Sequence, residues 1–501
     1  MKLIGLDVGT TGTKAIVFNE TGMQLGYGFR EYSIQSDSTG RAEQDAESVW
    51  EQSKAVLGEA LKPVGPRDVT ALSLSVQGDA VIPVDGEFKS IGPAILGMDY
   101  RSRPYSEQAA VILGDRRLFE LTGMRPHPMN SLTKIMLIKD RSPELYSRAF
   151  KISTYADFIL AKLGAPGFID YTMASRTMAF DLIKREWSSE ILDTLEIDAD
   201  KFSEAVPSGT VVGKLAADLA EELGLEERPF LVTGGHDQTC AAVGGGVIDR
   251  GRAVVSTGTA EVFSTAFGET KTNDAMYSSY YPCYIHAVPD CYFTFSLNHV
   301  GGLLFRWFRD TFCDVDAEAA RSQGLDTYAY LVRRMPPEPS RVLFLPHLNG
   351  SGTPWCDMDS KGAVVGITLG TSKYDIVRSI LECQTYELAL NVEAMARAGI
   401  ESDEIVAVGG GARSPEWLQM KADILERPVS TLECREAACL GAAIIAGIGA
   451  GVYDSFDEAV SEAVRASVRY EPEPRRTSIY RELLALYREL YPALKSVHAR
   501  L

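Results

Sequence analysis

The first 32 residues consist of short apolar runs separated by glycine-rich turns. Residues 3–8 and 13–18 are apolar and rich in β-branched side chains, and a Gly-Thr-Thr-Gly turn at 9–12 separates them. A second turn at 19–22 lets residues 24–32 return beside the second run. Two apolar runs joined by tight glycine turns are typical of antiparallel hairpins. The pattern therefore predicts a three-stranded antiparallel meander.

A helical pattern and another apolar strand follow the meander. The helix has Asp45 in the N-cap position, apolar residues along one face, and Pro63 as its stop. Residues 69–76 are a β-rich apolar run suited to a buried strand. Meander, helix and buried strand in this order predict an α/β fold with a mixed sheet.

The middle of the chain repeats this design. Residues 253–256, a Gly-Thr turn at 257–259 and residues 260–263 again predict strand, turn and strand. The glycine-rich stretch 244–251 just before them suits a domain boundary. We therefore predict two domains of one fold, residues 1–246 and 247–501, on either side of a cleft.

The last hundred residues are mostly helical in pattern. A short strand at 405–408 leads into a glycine-rich turn at 409–413, and Ser414 caps the helix that follows. Residues 436–448, rich in alanine and glycine, predict a close-packed buried helix. An amphipathic helix is predicted from about residue 478 to the end.

Composition limits the partners and the compartment. The chain has 501 residues, a formal charge of −18 and eight cysteines without a CxxC pair. A length of this size favours two large domains, and the negative charge argues against nucleic acid or acidic membranes as partners. Scattered cysteines in a large chain indicate free thiols in a reducing compartment. Because no apolar run reaches membrane-spanning length, we expect a soluble cytoplasmic protein.

The strongest chemical signal lies in the first hairpin. Its glycines would let backbone N–H groups approach phosphate oxygens, its hydroxyls add donors, and its lysine adds positive charge. The candidate phosphate-binding residues are Thr10, Thr11, Gly12, Thr13 and Lys14. Asp7, at the end of the preceding strand, is a candidate ligand for Mg²⁺. An ordinary hairpin turn is the alternative, but the similar turn with Gly258 and Thr259 favours phosphate binding.

A candidate catalytic carboxylate follows a later strand. Two glycines and His236 lie between the apolar run 229–233 and Asp237, at the strand end where α/β proteins place active sites. Phosphorylation of a hydroxyl requires a carboxylate that accepts its proton, and Asp237 fits this role. A cap on the next helix is the alternative. Walker A, dinucleotide-binding, GxSxG and zinc motifs are all absent from the sequence.

These motifs, in this order, resemble the FGGY family of sugar kinases, whose members have two ribonuclease H-like domains of the actin and hexokinase type. The resemblance spans nearly the whole chain. It implies ATP and Mg²⁺ as cofactors, Asp237 as the catalytic base, and phosphate binding by both hairpins. The family's adenosine motif falls on Gly409, Gly410, Gly411, Ala412 and Arg413.

The resemblance implies that the loop after residues 69–76 reads the sugar. This loop contains Gln77, Gly78 and Asp79, whereas xylulose kinases have Gln followed by Met-His-Gly. Asp79 could accept hydrogen bonds from two sugar hydroxyls, and Asp237 would contact the same substrate. Asp99 is either a further substrate contact or half of a supporting ion pair with Arg101.

The sequence thus predicts an ATP-dependent kinase of a small sugar, similar to xylulose kinases, with a pentulose such as xylulose as acceptor. Glycerol, ribulose and gluconate are alternative acceptors. An actin-like ATPase and a sugar sensor without catalysis are the alternatives to a kinase. A homodimer is left open.

Overall fold

In the computed structural model, which describes residues 1–501, the first half of the chain builds a mixed sheet of six strands. Its strands are β1 (Lys2–Val8), β2 (Gly12–Asn19), β3 (Gln24–Glu31), β4 (Val69–Val76), β5 (Val211–Lys214) and β6 (Phe230–His236). Their order in the sheet is β5-β6-β4-β1-β2-β3. Strands β1, β2 and β3 are antiparallel to one another, whereas β4 is parallel to both β1 and β6. The predicted meander and mixed sheet are confirmed.

The second half of the chain repeats this arrangement in a sheet of seven strands. Its strands are β7 (Gly251–Thr257), β8 (Glu261–Phe267), β9 (Tyr284–Ile285), β10 (Tyr292–Asn298), β11 (Ser402–Gly409), β12 (Val429–Leu432) and β13 (Ala466–Tyr470). Their order in the sheet is β9-β10-β8-β7-β11-β12-β13. Strands β7, β8 and β10 form an antiparallel meander, and β11 is parallel to β7 and β12. The repeat predicted from the two Gly-Thr turns is therefore present in the topology.

Helices flank both sheets. In the first half they are α1 (Ala46–Leu61), α2 (Arg103–Ala109), α3 (Asp115–Thr122), α4 (Ser131–Arg141), α5 (Pro143–Arg148), α6 (Tyr155–Leu163), α7 (Tyr171–Arg176), α8 (Ser189–Thr194), α9 (Ala217–Glu222) and α10 (Asp237–Gly244). In the second half they are α11 (Asp274–Ser278), α12 (Gly302–Phe312), α13 (Asp314–Ser322), α14 (Thr327–Val332), α15 (Lys373–Arg397), α16 (Pro415–Leu425), α17 (Ala437–Gly449), α18 (Phe456–Ala463) and α19 (Pro474–His498). None of them has both the length and the apolar character needed to cross a bilayer.

Short strands in the connections form one small sheet of three strands and four pairs. The three-stranded sheet consists of Gln35–Ser36, Ala42–Gln44 and Ala94–Ile95. The pairs are Ile82–Val84 with Lys151–Ser153, Phe168–Asp170 with Glu204–Val206, Phe180–Asp181 with Glu186–Trp187, and Leu343–Leu345 with Ala363–Val365. The predicted caps at Asp45 and Ser414 are confirmed, because both side chains accept from backbone N–H groups in the first turn of their helices. Helix α19 begins four residues before the predicted start at 478.

Helix α17 comes from the second half of the sequence but packs against the first sheet. A Cβ added at Gly5 in β1 would lie 1.9 Å from the carbonyl oxygen of Cys439, so the two backbones are in direct contact. Gly441 of α17 packs equally closely on α10, because a Cβ added at Gly441 would lie 1.8 Å from the carbonyl oxygen of Cys240. One apolar cluster joins the two halves through Leu3, Ile16, Phe18, Ala71, Val232, Leu440 and Ile444. The domain boundary after residue 246 stays a prediction, and α17 packs on the half of the molecule before that boundary.

Candidate active site

Hydrogen bonds within the hairpin and from Tyr32 hold the turn between β1 and β2 in place. The Gly9 N–H donates to the Gly12 carbonyl at 3.0 Å. The Tyr32 hydroxyl lies 2.5 Å from the Gly9 carbonyl oxygen and 3.1 Å from that of Gly12. Thr13 is fully buried and donates its hydroxyl to the Asp7 carbonyl at 2.9 Å. The Thr13 hydroxyl therefore supports the hairpin from within.

Two glutamines support the same hairpin. The Gln44 side-chain amide donates to the Thr10 carbonyl at 2.6 Å. The Gln77 amide donates to the Gly9 carbonyl at 3.1 Å and to Gln44 Oε1 at 3.3 Å. Gln77 was predicted to bind substrate, and in this structure its amide connects the loop at 77–79 to the first hairpin. Thr11 remains exposed at the tip of the hairpin, where a ligand can reach it.

Opposite charges flank this hairpin. Asp7 Oδ1 accepts from the Ser75 hydroxyl at 2.7 Å, and burial raises the pKa of Asp7. Lys14 Nζ lies 2.7 Å from Glu436 Oε2, at the start of α17. Burial opposes the charge on Lys14, but the hydrogen bond and charge of Glu436 outweigh it and raise the pKa of Lys14. Glu436 was missed by sequence reasoning, since it lies 422 residues away.

The parallel strands bring three predicted residues to one edge of the first sheet. Asp7 is the next-to-last residue of β1, Gln77 directly follows the end of β4, and Asp237 directly follows the end of β6. Because parallel strands share the edge at which their carboxyl ends meet, these side chains line one crevice. The predicted strand at 229–233 continues to residue 236, so Asp237 is the first residue of α10.

The environment of Asp237 suits a group that accepts a proton. Its side chain is 33% exposed, and burial together with the nearby Asp7 raises its pKa to about 7. Its Oδ1 lies 3.2 Å from Nε2 of His236 but has no hydrogen-bond partner. Burial and the charge of Arg176 hold the pKa of His236 well below its usual value, so that ring is neutral. A carboxyl group with a pKa near neutrality suits proton acceptance at physiological pH.

The loop after β4 is held by a partner that sequence reasoning missed. Asp79 adopts a left-handed backbone with φ of 68° and pairs with Nη2 of Arg176 at 2.5 Å. Both side chains are almost fully buried. Asp79 Oδ1 and the Arg176 atoms Nε and Nη1 have no hydrogen-bond partner. Gly78 leaves no room for a side chain, because a Cβ there would lie 2.8 Å from Nε2 of His236.

Asp99 forms an ion pair with Arg101, which is one of the two alternatives that the sequence left open for it. Its carboxylate accepts from the backbone N–H of Ala42 at 2.9 Å and from the backbone and side chain of Arg101 at 3.0 Å. The Asp99 side chain is completely buried, and Arg101 also pairs with Glu43. Asp99 thus braces the loop 97–101 in this structure, and a substrate contact stays a prediction.

The second hairpin and the loop at 409–413 lie side by side. Thr257, at the end of β7, pairs with Gly409, at the end of the neighbouring strand β11. A Cβ added at Gly411 would lie 2.7 Å from Cβ of Thr257, which explains the requirement for glycine. Gly258, Thr259, Gly409, Gly410 and Arg413 are exposed, whereas Gly411 is buried and Ala412 half-buried. The structure therefore brings the predicted phosphate and adenosine residues of the second half together at one exposed edge.

Fold and sequence comparisons define the class of protein. The two domains are ribonuclease H-like, of the actin and hexokinase type, in the arrangement found in sugar kinase structures. Residues 2–244 match the N-terminal domain of the FGGY family of carbohydrate kinases, and residues 253–450 match its C-terminal domain. The chain therefore belongs to the FGGY family of carbohydrate kinases and is a phosphotransferase with an alcohol group as acceptor.

Its relatives are named for different acceptors. The chain is 27% identical over 501 residues to a xylulose kinase of Bacillus subtilis, covering all of this chain and 98% of that protein. It is 29% identical over 506 residues to a gluconokinase of the same organism, covering all of this chain and 97% of that protein. A solved gluconate kinase from Lactobacillus acidophilus has a TM-score of 0.90 at 24% identity, covering 100% of this chain and 99% of that one. These similarities establish a sugar kinase and leave its acceptor open.

Proposed function

We propose that this kinase transfers the γ-phosphoryl group of ATP to a hydroxyl of a pentulose such as xylulose. The observation that carries the proposal is Asp237, a partly exposed carboxyl group with a pKa raised to about 7 and an oxygen without a hydrogen-bond partner. It lies at the crevice formed by the ends of β1, β4 and β6. A carboxylate placed there accepts the proton of a substrate hydroxyl during attack on phosphorus.

The reaction divides between the residues around the crevice. As the sugar oxygen bonds to the γ-phosphorus, the bond to the β–γ bridging oxygen breaks and ADP leaves. The proton of the sugar hydroxyl passes to Asp237. The backbone N–H groups of both hairpins and the ammonium of Lys14 stabilise the charge on the phosphate oxygens. The loop at 409–413 binds the adenosine portion.

Asp7 fits the role of a magnesium-binding carboxylate. Mg²⁺ in phosphoryl-transfer sites is commonly held by one or two carboxylates together with substrate phosphates and water. The chain offers no cluster of three or more acidic, histidine or cysteine ligands, so a site shared with the nucleotide is the arrangement that suits these residues. The ion would neutralise phosphate charge, and the half-buried Asp7, fixed by Ser75, would hold it directly or through water.

The charge of the substrate loop favours a neutral acceptor. The guanidinium of Arg176 is already neutralised by Asp79, and Asp237 adds a second carboxylate nearby. A sugar acid would bring a third negative charge to this region. Gluconate remains the second candidate, because Arg176 keeps two donor atoms without hydrogen-bond partners and guanidinium groups bind carboxylates well.

A coupled assay of ADP release, with ATP and Mg²⁺, tests the proposal across D-xylulose, D-ribulose, glycerol and D-gluconate. We expect the highest kcat/KM with a pentulose. A preference for gluconate would overturn the neutral acceptor but leave the kinase. ADP release at the same rate without any acceptor would instead indicate an actin-like ATPase.

A further inference from the structure

A buried ion pair lies beneath the second hairpin. Lys421 in α16 pairs through Nζ with Oε1 of Glu261, the first residue of β8. Neither side chain has any solvent exposure. The Lys421 ammonium also lies 4.7 Å from the ring centroid of Trp417, one helical turn earlier. The pair thus joins two elements whose sequence positions are 160 residues apart.

The carboxylate of this pair links the two strands of the second hairpin next to its turn. Glu261 Oε1 accepts a hydrogen bond from the Thr257 hydroxyl at 2.7 Å. Thr257 ends β7, Glu261 begins β8, and the two residues face each other in the antiparallel ladder. Because Gly258 and Thr259 form the turn between them, the position of that turn depends on the Glu261 carboxylate.

The lysine of this pair is fixed to the adenosine loop. Helix α16 starts immediately after the loop at 409–413, with Ser414 as its N-cap. The loop itself presses on the second hairpin, since a Cβ at Gly409 would lie 2.7 Å from the Thr257 carbonyl oxygen. Lys421 therefore connects the helix that carries one nucleotide element to the hairpin that forms the other.

A contribution to the stability of the fold does not by itself explain why this ion pair is buried here. Taking two charges out of water is costly, and well-packed apolar residues in place of a buried ion pair are often equally or more stable. Glu261 also has an oxygen, Oε2, buried without a hydrogen-bond partner. We infer that Glu261 and Lys421 are positioning residues that fix the spacing between the second hairpin and the adenosine loop, and thereby the geometry of ATP binding. This inference rests on the proposed nucleotide site.

The test compares Lys421→Met with the double variant Glu261→Gln/Lys421→Met. The single change leaves a buried carboxylate without its counter-charge, so it lowers Tm as well as altering the site. The double variant removes both charges, so we expect its Tm to recover toward wild type. In both variants the KM for ATP should rise about tenfold or more, because small errors in position are costly in phosphoryl transfer, while the KM for the sugar stays within about twofold. A double variant with wild-type KM for ATP would overturn the inference.

Two controls separate this inference from the proposed function. Arg378 and Glu382 form another buried pair in the same half, with Nε 2.7 Å from Oε1 and exposures of 6% and 1%. Arg378→Met should lower Tm and leave the KM for ATP unchanged. That result would show that destabilisation alone does not raise the KM for ATP.

Gly410→Leu acts on the proposed adenosine loop directly, and a Cβ there meets only the Thr257 carbonyl oxygen at 3.6 Å. A normal KM for ATP in Gly410→Leu would overturn the nucleotide site itself. A raised KM for ATP in Gly410→Leu, together with a normal KM for ATP in Glu261→Gln/Lys421→Met, would overturn only the positioning role of Glu261 and Lys421.

Discussion

The pH dependence of the sugar reaction should report Asp237 directly. With a pKa of about 7, half of the free enzyme carries the ionised base at neutral pH. The ionised fraction then falls about tenfold for each unit of pH below this value, and kcat/KM falls with it. A carboxyl group with the ordinary pKa of 3.8 would leave kcat/KM flat between about pH 5.5 and 8. The assay is coupled ADP release at low sugar and saturating ATP, with enzyme stability checked at each pH.

Replacing Asp237, the proposed base, should change activity and stability in opposite directions. Asp237→Asn should lower turnover by roughly two to four orders of magnitude, because it keeps the size and removes the proton acceptor. The pKa of Asp237 is raised in the folded state, so the folded protein binds this proton more tightly than the unfolded chain does. Ionisation therefore costs stability as pH rises from 3.8 to about 7, and the neutral amide avoids that cost. At about pH 8 the variant should have a higher Tm than the wild type. A flat pH profile together with near-normal turnover in Asp237→Asn would refute the assignment of the base.

Two further substitutions test the proposed substrate loop at 77–79 and the contact between α10 and α17. Asp79→Ala should lower kcat/KM for the sugar about a hundredfold or more, with little change in the KM for ATP. Its Tm should also fall because Arg176 loses its counter-charge, and normal sugar kinetics in Asp79→Ala/Arg176→Met would reduce Asp79 to a structural role. Gly441→Ala places a Cβ 1.8 Å from the Cys240 carbonyl oxygen, so urea unfolding should show a loss of about 1–3 kcal/mol. The matched helix change Gly58→Ala meets only a Leu side chain at 3.7 Å and should be tolerated, and equal stability of the two variants would contradict the close contact.

The features that sequence predicted well depend on neighbouring residues. The turn of the first hairpin follows from glycines between two apolar runs, and the start of α16 follows from Ser414 before a proline. The helix expected at 436–448 is observed as α17, because its small apolar residues leave few other arrangements. The strand at 229–233 extends three residues further than expected, since glycines tolerate both strand and turn.

The supporting residues of the site were not predictable in the same way. Asp79 and its partner Arg176 are 97 residues apart, and a charged residue in isolation reads as part of a solvated surface. Lys421 did leave a signal, since it lies one turn after Trp417 and one turn before Leu425, on the buried face of α16. A lysine on such a face predicts a buried counter-charge, but the fold is needed to identify Glu261.

The path of α17 has a consequence for how the protein is made. The N-terminal sheet is complete in sequence by residue 236, yet part of its apolar surface is covered only by residues 437–449. During synthesis that surface stays open while some two hundred further residues are added, which takes about 10–40 seconds at about 5–20 residues per second. Exposed apolar surface of this kind promotes aggregation of nascent chains. The first half of the chain therefore completes its native core only when the second half is almost fully translated.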